Sequence, residues 1–272
     1  MCPTCFSATS LKASSDLSRV STARTDRMRL VDTAPIPGGG ELRLFAEGDH
    51  YSIKIAGGGD LMSTRMHGSE DALATIACER IPRGRQPRVL IGGLGMGFTL
   101  AAALARLGQD ARVIVAELVP GVVAWNRGPL GRHAGFPLDD ARVEVRECDV
   151  AMVIRSERSV LDAILLDVDN GPDGLTRIGN DWLYAMPGLA ASMAALRPGG
   201  VLAIWSAHPD RRFVARLRQV GFAVDEVPVR AHGSKGARHL IWLASKPSNP
   251  AGTAIRRARS GPIDARPRHR RG

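Results

Sequence analysis

The segment from residue 87 to 118 constrains the fold more than any other part of the chain. It opens with the apolar run 89–91, which is typical of a buried parallel strand. The stretch 92–97 then reads GGLGMG, and an Ala- and Leu-rich stretch with helical spacing follows it. A second apolar run ends in an acid, Glu117. This order of strand, glycine turn, helix, strand and acid predicts a nucleotide-binding βαβ unit.

The spacing of the glycines indicates which ligand the turn binds. Gly93, Gly95 and Gly97 form a G-x-G-x-G pattern, whereas the dinucleotide fingerprint needs its third glycine where Phe98 stands. The shorter pattern lets the backbone approach a nucleoside with an amino-acid tail, as in S-adenosylmethionine enzymes of the Rossmann-like class. Glu117 would accept hydrogen bonds from both ribose hydroxyls. The alternative is a tight turn without a ligand. The predicted cofactor-binding residues of this turn are Gly92, Gly93, Gly95 and Gly97.

Length and charge define the domain organisation. The 272 residues, 44% of them hydrophobic, suffice for one large α/β domain with a small appendage. The formal net charge is +10, and residues 247–272 alone carry seven arginines and one aspartate. Their composition, and that of residues 1–28, predicts two disordered tails around a nearly neutral folded part. The basic C-terminal tail is expected to be solvated, or at most to contact nucleic acid weakly.

Cysteine usage and hydropathy indicate the compartment. Cys2, Cys5, Cys78 and Cys148 are too few and too scattered for a disulfide framework, and we expect no metal site. No apolar run approaches the ~20 residues that a membrane span needs, and the N-terminus lacks a secretory hydrophobic core. The sequence therefore predicts a cytoplasmic protein without a membrane segment.

Along the chain, residues 29–66 alternate in short runs and predict a small antiparallel β-meander. Residues 67–246 alternate between strand and helix patterns and predict a Rossmann-like domain, which opens with a helix capped by Ser69. Later elements include a helix over 182–196, a turn at 197–200 and a closing β-hairpin. The predicted fold class is α/β, with a doubly wound, mainly parallel sheet that binds ligands at its carboxyl edge.

Several stretches, taken in order, resemble the spermidine synthase family of polyamine aminopropyltransferases, within the class I S-adenosylmethionine methyltransferase fold. They are HGSEDALATIACERIP, VLIGGLGMG, VIVAEL, ILLDVDNGP and WLYAMPGLAASMAALRPGG, and the resemblance covers about residues 40–246. It implies transfer of an aminopropyl group from decarboxylated S-adenosylmethionine to a polyamine-like amine, without a metal, by a homodimer.

The resemblance also implies roles for individual residues. Glu117 would hold the ribose, Asp149 the adenine amino group, and Asp167 would be the catalytic acid that faces the nucleophilic amine. The remaining polar and aromatic residues near this edge are predicted to bind the acceptor: Glu70, Asp169, Asn170, Asp173, Trp182 and Tyr184. For the loop residues the alternative is turn hydrogen bonding, and for the two aromatic residues it is helix packing.

The sequence departs from the family pattern at three places. Leu94, Gly95 and Met96 stand where the family has an aspartate in its glycine loop. The family's D-[ST]-[ST]-D-P loop reads DVDNG from Asp167, and Ser69 and the preceding glycine replace a tyrosine and a histidine or glutamine. Two further functions therefore stay open: methyl transfer from S-adenosylmethionine to an unknown acceptor, and non-catalytic nucleoside binding.

Overall fold

A computed structural model describes residues 27–82, 86–168, 181–232 and 235–248. The tails predicted to be disordered, 1–28 and 247–272, lie outside these residues except for 27–28 and 247–248. Within the described part of the chain, no helix is long and apolar enough to cross a membrane.

The N-terminal part forms a four-stranded antiparallel sheet in chain order. Its strands are β1 (Arg29–Pro35), β2 (Glu41–Glu47), β3 (His50–Ile55) and β4 (Asp60–Ser63). Alternate residues of β2 are buried, as the period of a half-buried strand requires. The antiparallel β-meander predicted for residues 29–66 is therefore confirmed.

The second sheet has seven strands in the order β10-β11-β9-β8-β5-β6-β7. They are β5 (Arg88–Gly92), β6 (Arg112–Glu117), β7 (Val143–Glu147), β8 (Leu161–Leu166), β9 (Leu196–Ser206), β10 (Ala223–His232) and β11 (Lys235–Ser245). Strands β9, β8, β5, β6 and β7 are parallel, and β11 runs antiparallel to both neighbours. The mainly parallel sheet and the closing hairpin are therefore confirmed. The chain changes direction of winding between β5 and β8, so their carboxyl ends form the crevice where such sheets bind ligands.

Helices cover both faces of this sheet. They are α1 (Gly68–Glu79), α2 (Phe98–Arg106), α3 (Pro120–Arg127), α4 (Gly131–Ala134), α5 (Val150–Ser156), α6 (Asp181–Tyr184), α7 (Met186–Ala195) and α8 (Arg211–Val220), with a 3₁₀ turn at Pro137–Asp139. The first core joins the sheet to α1, α2, α3 and the N-terminal sheet, and the second joins it to α5–α8. Because successive strand residues face opposite sides, Val89 and Ile91 enter the first core and Leu90 the second.

Three local predictions are wrong. Ser69 does not cap α1: His67 holds that position, and the Ser69 hydroxyl donates to Glu70 at 2.7 Å. The helix expected over 182–196 is divided into α6 and α7 at Ala185, which is extended, because Pro187 in the first turn of α7 has no N–H to continue the hydrogen bonds of α6. The expected turn at 197–200 belongs to β9, since the Gly199 N–H donates to the Lys246 carbonyl at 3.0 Å.

The N-terminal sheet is fixed to the larger domain through α3. The indole N–H of Trp125 donates to a carboxylate oxygen of Asp32 at 2.8 Å. A methyl group at Gly121 would lie 2.4 Å from the side chain of Ala34, so only glycine allows β1 to approach α3 this closely. This contact holds the N-terminal sheet over the glycine turn, where the Met62 sulfur would be 3.2 Å from a Cβ at Gly95.

Candidate functional site

A cavity of about 510 Å³ lies at the carboxyl ends of β5, β6 and β8, between the glycine turn, α1 and the N-terminal sheet. The N-terminal sheet contributes mostly aliphatic side chains to its wall, and the larger sheet contributes polar ones. The residues that line the cavity include Met62, Glu70, Gly93, Gly95, Thr99, Glu117, Asp149, Asp167, Trp205 and His239. The cavity therefore occupies the crevice where the sequence predicted a ligand.

The glycine turn has a backbone that side chains would obstruct. Gly93 and Gly97 both have φ of +83°, in the left-handed region that favours glycine. A Cβ at Gly93 would lie 2.8 Å from the Asp167 carbonyl oxygen, and one at Gly97 would lie 2.8 Å from the side-chain oxygen of Asn126. Gly92 ends β5, while Gly93 and Gly95 line the cavity. The turn therefore brings bare backbone against the cavity, and its contact with a ligand stays a prediction.

Glu117 is buried at the end of β6 and faces the turn. One carboxylate oxygen accepts the Leu94 N–H at 2.8 Å, and the other accepts the Val119 N–H at 2.9 Å. Burial raises the pKa of Glu117, and these backbone hydrogen bonds oppose that rise. The side chain thus ties the glycine turn to the start of α3, and each oxygen keeps further lone-pair capacity for a ligand donor.

Asp149 stands at the N-terminus of α5, directly beyond β7. Its carboxylate accepts the Ala151 N–H at 2.8 Å, so it caps the helix, and the residue also lines the cavity. The cap fixes the orientation of the carboxylate at the edge of the sheet. Because β6 and β7 lie on the same side of β5, Asp149 and Glu117 lie on the same side of the glycine turn. These are the two acids predicted to bind the nucleoside.

Asp167 follows β8 directly and lies against the glycine turn, where its N–H donates to the Gly92 carbonyl at 3.0 Å. The hydroxyl of Thr99 donates to its Oδ2 at 2.8 Å. Burial and, to a smaller extent, the nearby charge of Glu70 raise the pKa of Asp167 to about 7, although the Thr99 hydrogen bond opposes the rise. Burial also raises the pKa of Glu70. Because their like charges repel each other, ionisation of one carboxyl group opposes ionisation of the other.

The charge of the cavity wall has one sign. Five of its residues carry carboxyl groups, and no lysine or arginine is among the described residues that line it. The five acids are Asp60, Glu70, Glu117, Asp149 and Asp167. An acidic cavity of this kind attracts cationic ligands. Within the described ranges, no group of three or more His, Cys, Asp or Glu side chains is arranged to hold a metal ion.

Among the described residues that line this cavity, Glu70 is the one predicted to bind the acceptor. Asp169, Asn170 and Asp173 lie outside the described residues. Tyr184 is buried, with its hydroxyl donating to the Val168 carbonyl at 3.0 Å and its ring edge-on to Phe213. Arg155 stacks over the Trp182 ring at 3.9 Å, and neither aromatic residue is in the cavity wall. Their role in acceptor binding stays a prediction, and their observed contacts are those of helix packing.

Several residues at the site were not predicted from the sequence, and Thr99 and Asn126 are two that contact Asp167 and the glycine turn. Thr99, in the first turn of α2, is buried and fixes Asp167, and its only signal was a hydroxyl two residues after Gly97. Asn126 on α3 is buried, and its side-chain N–H groups donate to the carbonyls of Gly95 at 2.8 Å and Val122 at 2.9 Å. It holds the glycine turn from the far side, and nothing in its local sequence indicated that contact.

Comparison with solved structures supports the fold. The spermidine synthase of Thermotoga maritima superposes with a TM-score of 0.65 at 19% identity, covering 82% of this chain and 74% of that one. A spermidine synthase in complex with the transition state analogue AdoDATO gives 0.64 at 20% identity, with the same coverage. A probable spermidine synthase from Corynebacterium glutamicum ATCC 13032 gives 0.55 at 20% identity and covers 80% of each chain. No protein-family model matches the sequence, and no curated protein matches it either. The chain thus has a spermidine synthase-like fold.

Proposed function

We propose that the protein is a transferase that moves an aminopropyl group from decarboxylated S-adenosylmethionine to an amine acceptor. The observation that carries this proposal is the cavity wall with five carboxyl groups and, among its described residues, no lysine or arginine. The donor has a sulfonium and an ammonium but no carboxylate, and the acceptor is a cation before it loses a proton. Both ligands match the sign of the wall, whereas the carboxylate of S-adenosylmethionine does not.

The nucleoside end of the donor fits between Glu117 and Asp149. Both carboxylates are held in place by backbone N–H groups, so a ligand donor would meet oxygens that are already oriented. Glu117 would accept from the ribose hydroxyls with its remaining lone pairs, and Asp149 would accept from the adenine amino group. The bare backbone at Gly93 and Gly95 leaves room for the rest of the nucleoside.

The reactive end is at Asp167. Thr99 occupies its Oδ2, which leaves Oδ1 for the acceptor amine. A carboxyl with a pKa near 7 takes a proton from an ammonium more readily than one of ordinary pKa, and it can release that proton to water afterwards. The donor supplies a carbon made electrophilic by the adjacent sulfonium, and its sulfur leaves with the bonding electron pair as the thioether of methylthioadenosine. The amine lone pair forms the new C–N bond while Asp167 accepts the proton. Glu70 would add a second negative charge beside the reacting amine.

Titration calorimetry with the two donors tests this proposal. We expect decarboxylated S-adenosylmethionine to bind more tightly than S-adenosylmethionine by about 1–3 kcal/mol, the scale of one charge-assisted contact. Mass spectrometry should then detect methylthioadenosine and an aminopropylated amine, and D167N should lose turnover while it still binds methylthioadenosine. Tighter binding of S-adenosylmethionine together with methylation of an amine would refute the proposal in favour of a methyltransferase. Binding of either nucleoside without any turnover would favour a non-catalytic protein.

A further inference from the structure

The cavity continues beyond Asp167 to an end with a different chemical character. That end lies between β9 and β11 and is formed by Trp205, Ala207, Ala237 and His239. None of these carries a carboxyl group, so all five acids of the wall lie elsewhere in the described cavity. The rings of Trp205 and His239 pack edge to face, with centroids 4.6 Å apart and an interplanar angle of 66°. This contact fixes the plane of the imidazole.

The surroundings of the His239 ring indicate whether it is charged and which of its nitrogens carries the proton. Its Nδ1 is buried, and no hydrogen-bond partner for it exists among the described residues. An imidazolium carries an N–H on both ring nitrogens, so the charged form would bury an unpaired donor at Nδ1. Burial and the neighbouring His208 lower the pKa of His239, which agrees with a neutral ring. Because buried unpaired N–H groups are rarer than buried unpaired acceptors, the proton belongs on Nε2.

His239 therefore offers a ligand one uncharged N–H donor at Nε2. The Trp205 indole Nε1 is also a donor, and it too is buried without a partner in the described structure. An ammonium has three donors and no lone pair, so it cannot accept a hydrogen bond from either N–H. A carboxylate is disfavoured by the acidic remainder of the wall. A hydroxyl or carbonyl oxygen meets neither difficulty, because it is uncharged and accepts a hydrogen bond.

We propose that the acceptor is an amine with an uncharged hydrogen-bond-accepting group, such as a hydroxyl, at its far end, and that His239 determines this specificity. This inference rests on the proposed function, because it places the reacting amine at Asp167. It distinguishes an amino alcohol from a diamine, which would bring a second ammonium to the β9–β11 end of the cavity.

The test is the binding of two matched probes, 4-aminobutan-1-ol and 1,4-diaminobutane, to the full chain saturated with methylthioadenosine. We expect calorimetry to show the amino alcohol binding about tenfold more tightly, as expected when a site leaves one ligand group unpaired. H239L removes the donor and should reduce the preference to less than about threefold, whereas H239Q, which keeps an N–H, should retain part of it. The matched control is H50Q, which replaces an exposed histidine of β3 that does not line the cavity, and it should leave the preference unchanged.

Thermal unfolding of each variant verifies that it is folded before its affinities are compared. Tighter binding of the diamine by the wild-type protein, or an undiminished preference in a folded H239L variant, would overturn the inference. Absence of binding of both amines would overturn it as well. A preference that depends on His239, combined with no aminopropyl transfer to either amine, would refute the proposed function but support the binding specificity assigned to His239.

Discussion

Replacing Asp167 by asparagine should make the protein more stable, and the gain should depend on pH. The pKa of Asp167 rises from an ordinary 3.8 to about 7, so the folded protein binds more protons than the unfolded chain between these values. Stability therefore falls as the pH rises through this window. At about 1.4 kcal/mol per pKa unit the ionised carboxylate costs the fold about 4 kcal/mol, and we expect screening through the cavity to halve this. The asparagine oxygen can still accept from Thr99.

The measurement is urea unfolding of wild type and D167N at intervals from pH 4 to pH 8, without ligand. The variant should gain about 2 kcal/mol at pH 8 and almost nothing at pH 4. D162N is the control, because it makes the same substitution at the other end of β8. Asp162 is buried, accepts the Arg88 N–H at 2.9 Å and pairs with Arg197 at 2.7 Å, so its loss of charge should destabilise by about 1–3 kcal/mol. A D167N variant that is equally stable or less stable at pH 8 would refute the reasoning.

Three further predictions concern the same edge of the sheet. E117A should weaken methylthioadenosine binding by about 1.5–3 kcal/mol and also lower stability, because two backbone N–H groups lose their acceptor; unchanged affinity by calorimetry would remove Glu117 from the site. The turnover rate should rise with pH through about 7, because Asp167 must be ionised to accept a proton. E70Q should move the midpoint of this rise to lower pH, because it removes a charge that raises the pKa of Asp167. A pH-independent rate would exclude Asp167 as the base. G97A should lower the free energy of unfolding by about 1–3 kcal/mol, because it combines a positive φ with a clash against Asn126. G135A, at a positive φ in open space, should lower it less. Equal losses of stability in thermal unfolding would contradict the clash.

The sequence predicted those parts of the site that follow from chain direction. Glu117 and Asp167 each come directly after an apolar run, and parallel strands deliver such residues to one edge of the sheet. The glycine turn was also predictable, because the spacing of its glycines indicates where the backbone adopts a positive φ and lies free of side chains.

Residues that reach the site from helix faces were not predictable. Thr99 and Asn126 contact it from α2 and α3, and only the packing of those helices determines which side chains face the turn. Trp182 and Tyr184 were expected in the cavity because of their chemistry, but the break at Ala185 and the packing of α6 direct them elsewhere. The misplaced helix cap at Ser69 has a similar cause, because the contacts of His67 decide where α1 begins.

The two acids at the centre of the site differ in what they do for a protein without a ligand. Glu117 joins the glycine turn to α3, so a descendant that had lost all ligand binding would still benefit from keeping it. Asp167 confers no such benefit, because its buried charge weakens the fold at neutral pH and an amide would serve the Thr99 hydroxyl as well. In a protein that no longer needed a reactive acid, we expect asparagine to replace Asp167 before Glu117 is replaced. The aspartate is therefore better explained by the proposed reaction, or by binding of a cationic ligand, than by the stability of the fold.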